Sequence, residues 1–207
     1  MKNTWKPVAS ARREIADLVE CLDDQQRKGP TLCEGWTPHE VLAHVTTFVE
    51  IPLPKFMFNM ARAKFDADVA SDRMARALAE HPVDELAAIL RAKADKKSAL
   101  PGFPAELSLS DVVIHTQDIR RGVGVEGVPD EGDVRVVLDF LTQQKQAKLL
   151  CDTARLRGLA FRATDIDWHH GNIGGAVPIA GTAEAVMMGI AGRGVFDELT
   201  GPVDKLR

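Results

Sequence analysis

From residue 10 to about residue 150 the apolar side chains of this chain return at intervals of three and four, and proline, glycine and capping residues punctuate the runs. A chain patterned in this way must bury stripes of helix against one another. The first run, over residues 10–27, places Ile15, Leu18, Val19 and Leu22 on one face and stops at Gly29-Pro30. The second has the best-marked start. Thr37 reads as N-cap, Pro38 takes the first helical position and Glu40 completes a capping box. Further helical stretches are expected through Phe56, Phe58 and Met60 toward Leu78, and over 85–97. Another, capped by Ser108 or Ser110 and ending near Gly122, carries Asp111 and His115. The last of this series covers 133–150, with Val134, Val137, Leu138, Leu141 and Ala147 as its buried stripe.

After about Gly158 the pattern changes. Residues 159–164 alternate as a strand does, and 165–172 read as a polar turn that would close a hairpin. Residues 183–191 form one more apolar helix, introduced by Gly181-Thr182 and closed by Gly192. The expected fold is mainly α. Residues 1–152 would form a helical bundle and residues 153–207 a small α+β subdomain.

Composition narrows the partners. A net charge of −4 over 207 residues leaves no electrostatic footprint for nucleic acid. No run of apolar residues is long enough to span a bilayer, and residues 1–7 lack the apolar core of a secretion signal. The three cysteines, Cys21, Cys33 and Cys151, have no paired spacing, which fits a reducing cytoplasmic setting. A small-molecule partner is expected, with an exposed apolar face available for a homodimer.

The chemistry concentrates on two helices. Residues four apart on a helix share a face, so Asp111 and His115 can address one ion, one water or one substrate atom. His44 sits on the inner face expected for the helix that begins at Pro38. Helical bundles build metal sites from side chains of facing helices, and two imidazoles with one carboxylate suit zinc or another divalent transition ion. Three such ligands leave a fourth position open. The competing reading makes His115 a donor to Asp111 or Asp118 and His44 a satisfied core histidine. Asp118, one turn after His115, is either an imidazole-orienting partner or an exposed acid paired with Arg121. Glu40 is accounted for by its cap. His39 points to another face, and His169 and His170 read as polar turn residues. Cys33 has no neighbour in sequence that would depress its pKa. Trp36 and Trp168 read as apolar anchors.

The segments Glu34-Gly35-Trp36-Thr37-Pro38-His39-Glu40-Val41-Leu42-Ala43-His44-Val45 and Asp111-Val112-Val113-Ile114-His115-Thr116-Gln117-Asp118-Ile119-Arg120-Arg121-Gly122 resemble the DinB-like superfamily. Within it the likeness is to the mycothiol-dependent maleylpyruvate isomerase family of actinobacteria. The resemblance implies a DinB-like four-helix bundle with a small C-terminal subdomain, binding a divalent metal, zinc or alternatively nickel, through His44, Asp111 and His115. At Asp111 this chain departs from the family, which more often has glutamate, and the shorter arm would bring the helix closer to the ion. The resemblance further implies an isomerase or S-transferase that uses mycothiol, or a similar low-molecular-weight thiol, on a small electrophilic substrate. Arg193 is then the candidate anion clamp, with Arg120 and Arg121 as alternatives. A non-catalytic metal-binding protein and a metal-assisted hydrolase are the readings from other classes.

Overall fold

The computed structural model describes residues 5–97, 103–172 and 174–206. Among them are nine α-helices and three short strands: α1 (Trp5–Cys21), α2 (Asp24–Arg27), α3 (Pro38–Glu50), α4 (Leu53–Arg62), α5 (Ala67–Leu78), α6 (Val83–Ala92), α7 (Ala105–Val123), α8 (Glu131–Gln143), β1 (Phe161–Ala163), β2 (His169–His170), β3 (Ile179–Gly181) and α9 (Ala183–Ile190). Helices α1 and α3 each pack against both α6 and α7, which closes a four-helix ring around one core. Helix α5 lies against α3, α8 against α7, and α9 against α8.

The apolar periodicity explains the ring. Val8, Ile15 and Val19 of α1, Leu42 and Val49 of α3, Leu86 and Leu90 of α6, and Leu109 and Ile119 of α7 are all completely buried. The capping box of α3 is present in full, with Thr37 accepting from the Glu40 amide and Glu40 accepting from the Thr37 amide. Several helix boundaries differ from the sequence expectation. The first run is broken after Cys21, because Asp23 starts α2 with its own capping box, completed by Gln26. The stretch toward Leu78 is two helices, α4 and α5, separated by Lys64 and Phe65 at positive φ. Helix α7 starts at Ala105 rather than at a serine. Ser110 is already inside it, buried, with its hydroxyl donating to the Glu106 carbonyl one turn back. At the far end α8 stops at Gln143, and a short 3-10 turn over Lys145–Leu149 replaces its expected last turns.

The C-terminal strands form a sheet of order β2-β1-β3, with β1 antiparallel to β2 and parallel to β3. The hairpin expectation holds, but His169 and His170 lie in strand β2, not in a turn. Helix α9 is capped by Thr182 and is buried along its whole length. The buried apolar cluster runs without a break from Val8 to Leu206 and takes in both the helical ring and the strands. No helix among the described residues is long and apolar enough to cross a membrane.

Candidate metal site and pocket

Helix α3 brings His44, and α7 brings Asp111 and His115, to the inner end of a cavity of about 560 Å³. His44 Nε2 lies 3.4 Å from Asp111 Oδ1, and His115 Nε2 lies 3.7 Å from the same oxygen. One donor atom from each of the three residues falls within 4.8 Å of the others. A tetrahedral ion with ligands about 2.1 Å away holds them about 3.4 Å apart. The donor set and its spacing therefore fit a divalent ion. The alternative pairing of His115 with Asp118 alone does not account for His44 of α3 converging on Asp111 and His115 of α7.

The far side of each imidazole is also occupied. His115 Nδ1 is 2.9 Å from Asp118 Oδ2, and His44 Nδ1 is 2.9 Å from Ser71 Oγ on α5. An ionised carboxylate can only accept, so Nδ1 of His115 is the donor to Asp118, and Nε2 is the nitrogen left to face the cluster. This arrangement fixes ring orientation in metal sites and raises ligand basicity. Trp36 closes the site from above, its ring 4.7 Å from that of His44 and 5.8 Å from that of His115. Its indole N–H donates to Asp72 on α5.

Asp118 is completely buried, and Arg193 grips it with two bonds, Nε to Oδ1 at 2.8 Å and Nη2 to Oδ2 at 2.7 Å. Of the two readings of Asp118, the hydrogen bond to His115 matches the imidazole-orienting one, and the simpler one, an exposed acid, is overturned by its burial. Its pairing with Arg121 is absent, because Arg121 is bonded to Glu184 and Glu198 instead. Arg120 is held by Glu14 and the Glu126 carbonyl. Neither of these arginines lines the cavity, whereas Arg193 does. Burial works against ionising Asp118, but the hydrogen bonds from Arg193 and His115 hold its carboxyl below the usual carboxylate range. Burial likewise opposes an ionised Asp111, and His44, His115 and Arg12 together outweigh it.

The remaining candidates sort cleanly. Glu40 is taken up by Thr37 and Arg76 and stays outside the donor cluster. His39 faces outward, with Nε2 at the His81 carbonyl. Trp168 anchors the strands to α8 through a bond to Asp139. Cys33 does line the cavity, and burial pushes its thiol up to about 11. Cys33, His115 and Asp118 form a second group of donors within reach of one another. A cation is disfavoured there, because Arg193 already neutralises Asp118. Sequence reasoning missed Ser71, Asp72, Phe56, Met60 and Arg12, which meet the site only through the fold.

Residues 8–100 match the protein family described as the Mycothiol maleylpyruvate isomerase N-terminal domain. The similarity covers a little under half of the chain. The match includes Trp36, the α3 cap and His44 but ends before α7, so Asp111 and His115 enter the site on geometry alone. The helical bundle with its small C-terminal subdomain is the DinB-like fold that the resemblance implies. No curated protein and no solved structure matches the chain.

Proposed function

We propose that this protein is a metal-dependent enzyme that uses mycothiol, or a similar low-molecular-weight thiol, in an isomerase or S-transferase reaction on a small electrophilic substrate. The observation that carries the reading is the convergence of two imidazole Nε2 atoms and one carboxylate on a cavity, each imidazole being tied behind by a hydrogen bond. The likeness of residues 8–100 to the mycothiol maleylpyruvate isomerase N-terminal domain supports the choice of thiol. A divalent ion in the cluster, zinc first among candidates, would act as a Lewis acid that acidifies a thiol or water reaching it.

The chain's own groups divide the rest of the work. His44 and His115 offer lone pairs and Asp111 offers charge, so three ligands leave one position toward the cavity. Phe48, Phe56, Met60 and Leu107 wall that cavity with apolar surface and thin out competing water. Arg193 keeps two of its five N–H donors after its bonds to Asp118 and to the Ala191 carbonyl. They are the donors assigned to an oxyanion developing on the substrate.

The test is elemental analysis of tag-free protein beside His44→Ala. About one equivalent of zinc or nickel, lost in the variant, is expected. Metal-loaded protein should then consume mycothiol with an electrophilic acceptor faster than metal-free protein does. Full metal occupancy in the variant would overturn the ligand assignment, and equal rates would overturn the catalytic one.

A further inference from the structure

Arg12 is 1% exposed, on α1, and it lines the same cavity as Asp111. Its Nη1 donates to the carbonyls of Ala94 and Lys96, at 3.0 and 2.6 Å, which holds the guanidinium plane in place. Its Nε, also buried, has no hydrogen-bond partner. No carboxylate among the described residues lies within ion-pair distance of it, and the neighbouring Asp95 is paired with Arg13. A buried cation without an ion-pair partner is costly to keep charged. Buried charges are as a rule paired. The nearest counter-charge in the cavity is Asp111, and on the reading above that carboxylate is committed to an ion. Two imidazoles, one carboxylate and a divalent ion then sum to about +1, so Arg12 would share the cavity with a second positive centre. Arg193, the cavity's other guanidinium, is already neutralised by Asp118.

We infer that Arg12 is a specificity-determining residue which recognises a carboxylate on the small molecule bound in this cavity. The inference rests on the proposed metal site for the charge balance, and on Arg12's own unpaired burial for the anchor. Two carbonyl acceptors on Nη1 leave the rest of the fork preset, and a preset guanidinium matches a planar carboxylate. Such a ligand would lie between Arg12 and the donor cluster, its apolar part against Phe48 and Leu107.

Benzoate and benzamide share a shape and differ in charge, and both are small enough for a cavity of this volume. Calorimetric titration of the metal-loaded protein is expected to give benzoate at least tenfold tighter than benzamide. In Arg12→Gln the ratio should fall toward one while bound metal, measured by elemental analysis, stays at the wild-type level. Arg12→Lys keeps the charge but loses the fork, and should give an intermediate ratio; it serves if the glutamine variant does not fold. In metal-free His44→Ala the preference should persist, reduced, because a protein cation still supplies it. A wild-type ratio near one, an unchanged ratio in both Arg12 variants, or a preference abolished by His44→Ala alone would each overturn the assignment. The absence of metal from wild-type protein would instead defeat the metal reading, and a surviving benzoate preference would keep Arg12 standing without it.

Discussion

Asp118 makes hydrogen bonds to His115 on one side and to the Arg193 guanidinium on the other, so one substitution there should have two separable effects. Asp118→Asn keeps the volume but removes the charge. His115 loses the acceptor that fixes its tautomer, and changes of this kind cost about 10–100-fold in metal affinity. Arg193 is left half-buried without its charged partner, at a cost below the roughly 3–5 kcal/mol of a fully buried pair. Competitive metal titration and urea unfolding would measure the two; unaltered metal affinity would remove Asp118 from the site. Cys33 gives a prediction in pH. Its thiol is raised to about 11, chiefly by burial, with Asp118, Asp111 and Asp68 adding to the rise and Arg193 opposing it. The neutral thiol therefore persists well above the pH at which a free cysteine ionises. Iodoacetamide should label Cys33 of metal-free protein slowly at pH 7.5, with the rate climbing until pH approaches 11. Labelling that levels off near pH 8.5 would mean that the thiol is not desolvated. At this scale His44, Asp111 and His115 were legible because each sits on a strongly patterned helix. Ser71 was not, since no spacing links it to His44, 27 residues away, and Arg193, named as an anion clamp, gave no sign in the sequence of its bond to Asp118, 75 residues away.

Helix α7 approaches the loop before α3 closely at Gly122. At Gly122 an added Cβ would stand 2.4 Å from the Pro30 carbonyl oxygen and 2.5 Å from the Thr31 Cα. One turn back, Leu32 donates its amide to the Asp118 carbonyl at 3.0 Å. Gly122→Ala must push loop and helix apart, at about 1–3 kcal/mol by the usual cost of overpacking. The displacement would fall next to Cys33 and Trp36. A lowered melting temperature together with weaker metal binding is expected from calorimetry; a stability equal to wild type would show that the loop yields freely. Thr37→Ala should cost about 1 kcal/mol, because it removes half of the capping box that starts α3. The box could be read directly from Thr37, Pro38 and Glu40. The start of α7 could not, since Ser108 and Ser110 offer the same hydroxyls that caps use, and only burial shows that Ser110 is spent on a carbonyl inside the helix. The break between α4 and α5 was hidden for a different reason. Lys64 and Phe65 take positive φ without a glycine to announce it, and the satellite cluster of Ala63, Ala70 and Met74 is what holds the corner.

For the molecule as a whole, the change from helical to strand patterning near residue 153 marks a change of secondary structure, while the packing crosses it. Helix α9 lies on α8, where Val137, Leu138 and Leu141 are at most 1% exposed. Arg121 on α7 reaches Glu184 and Glu198, and Asp118 reaches Arg193. Ending the chain at residue 152 would uncover part of the α8 face and leave Asp118 and Arg121 without those partners. Reopening three large side chains costs about 1.5–3 kcal/mol each, and the lost ion pair at Asp118 about 3–5 kcal/mol more. Against a domain stability of about 5–15 kcal/mol, these losses are large enough to decide folding. Residues 1–152 alone should therefore retain helical signal in circular dichroism but melt without a cooperative transition, and should bind metal weakly because the Asp118 behind His115 has lost its Arg193 brace. A sharp, reversible melt with wild-type metal affinity would show the opposite: that the bundle is complete by itself and that the strands and α9 serve only to close the cavity.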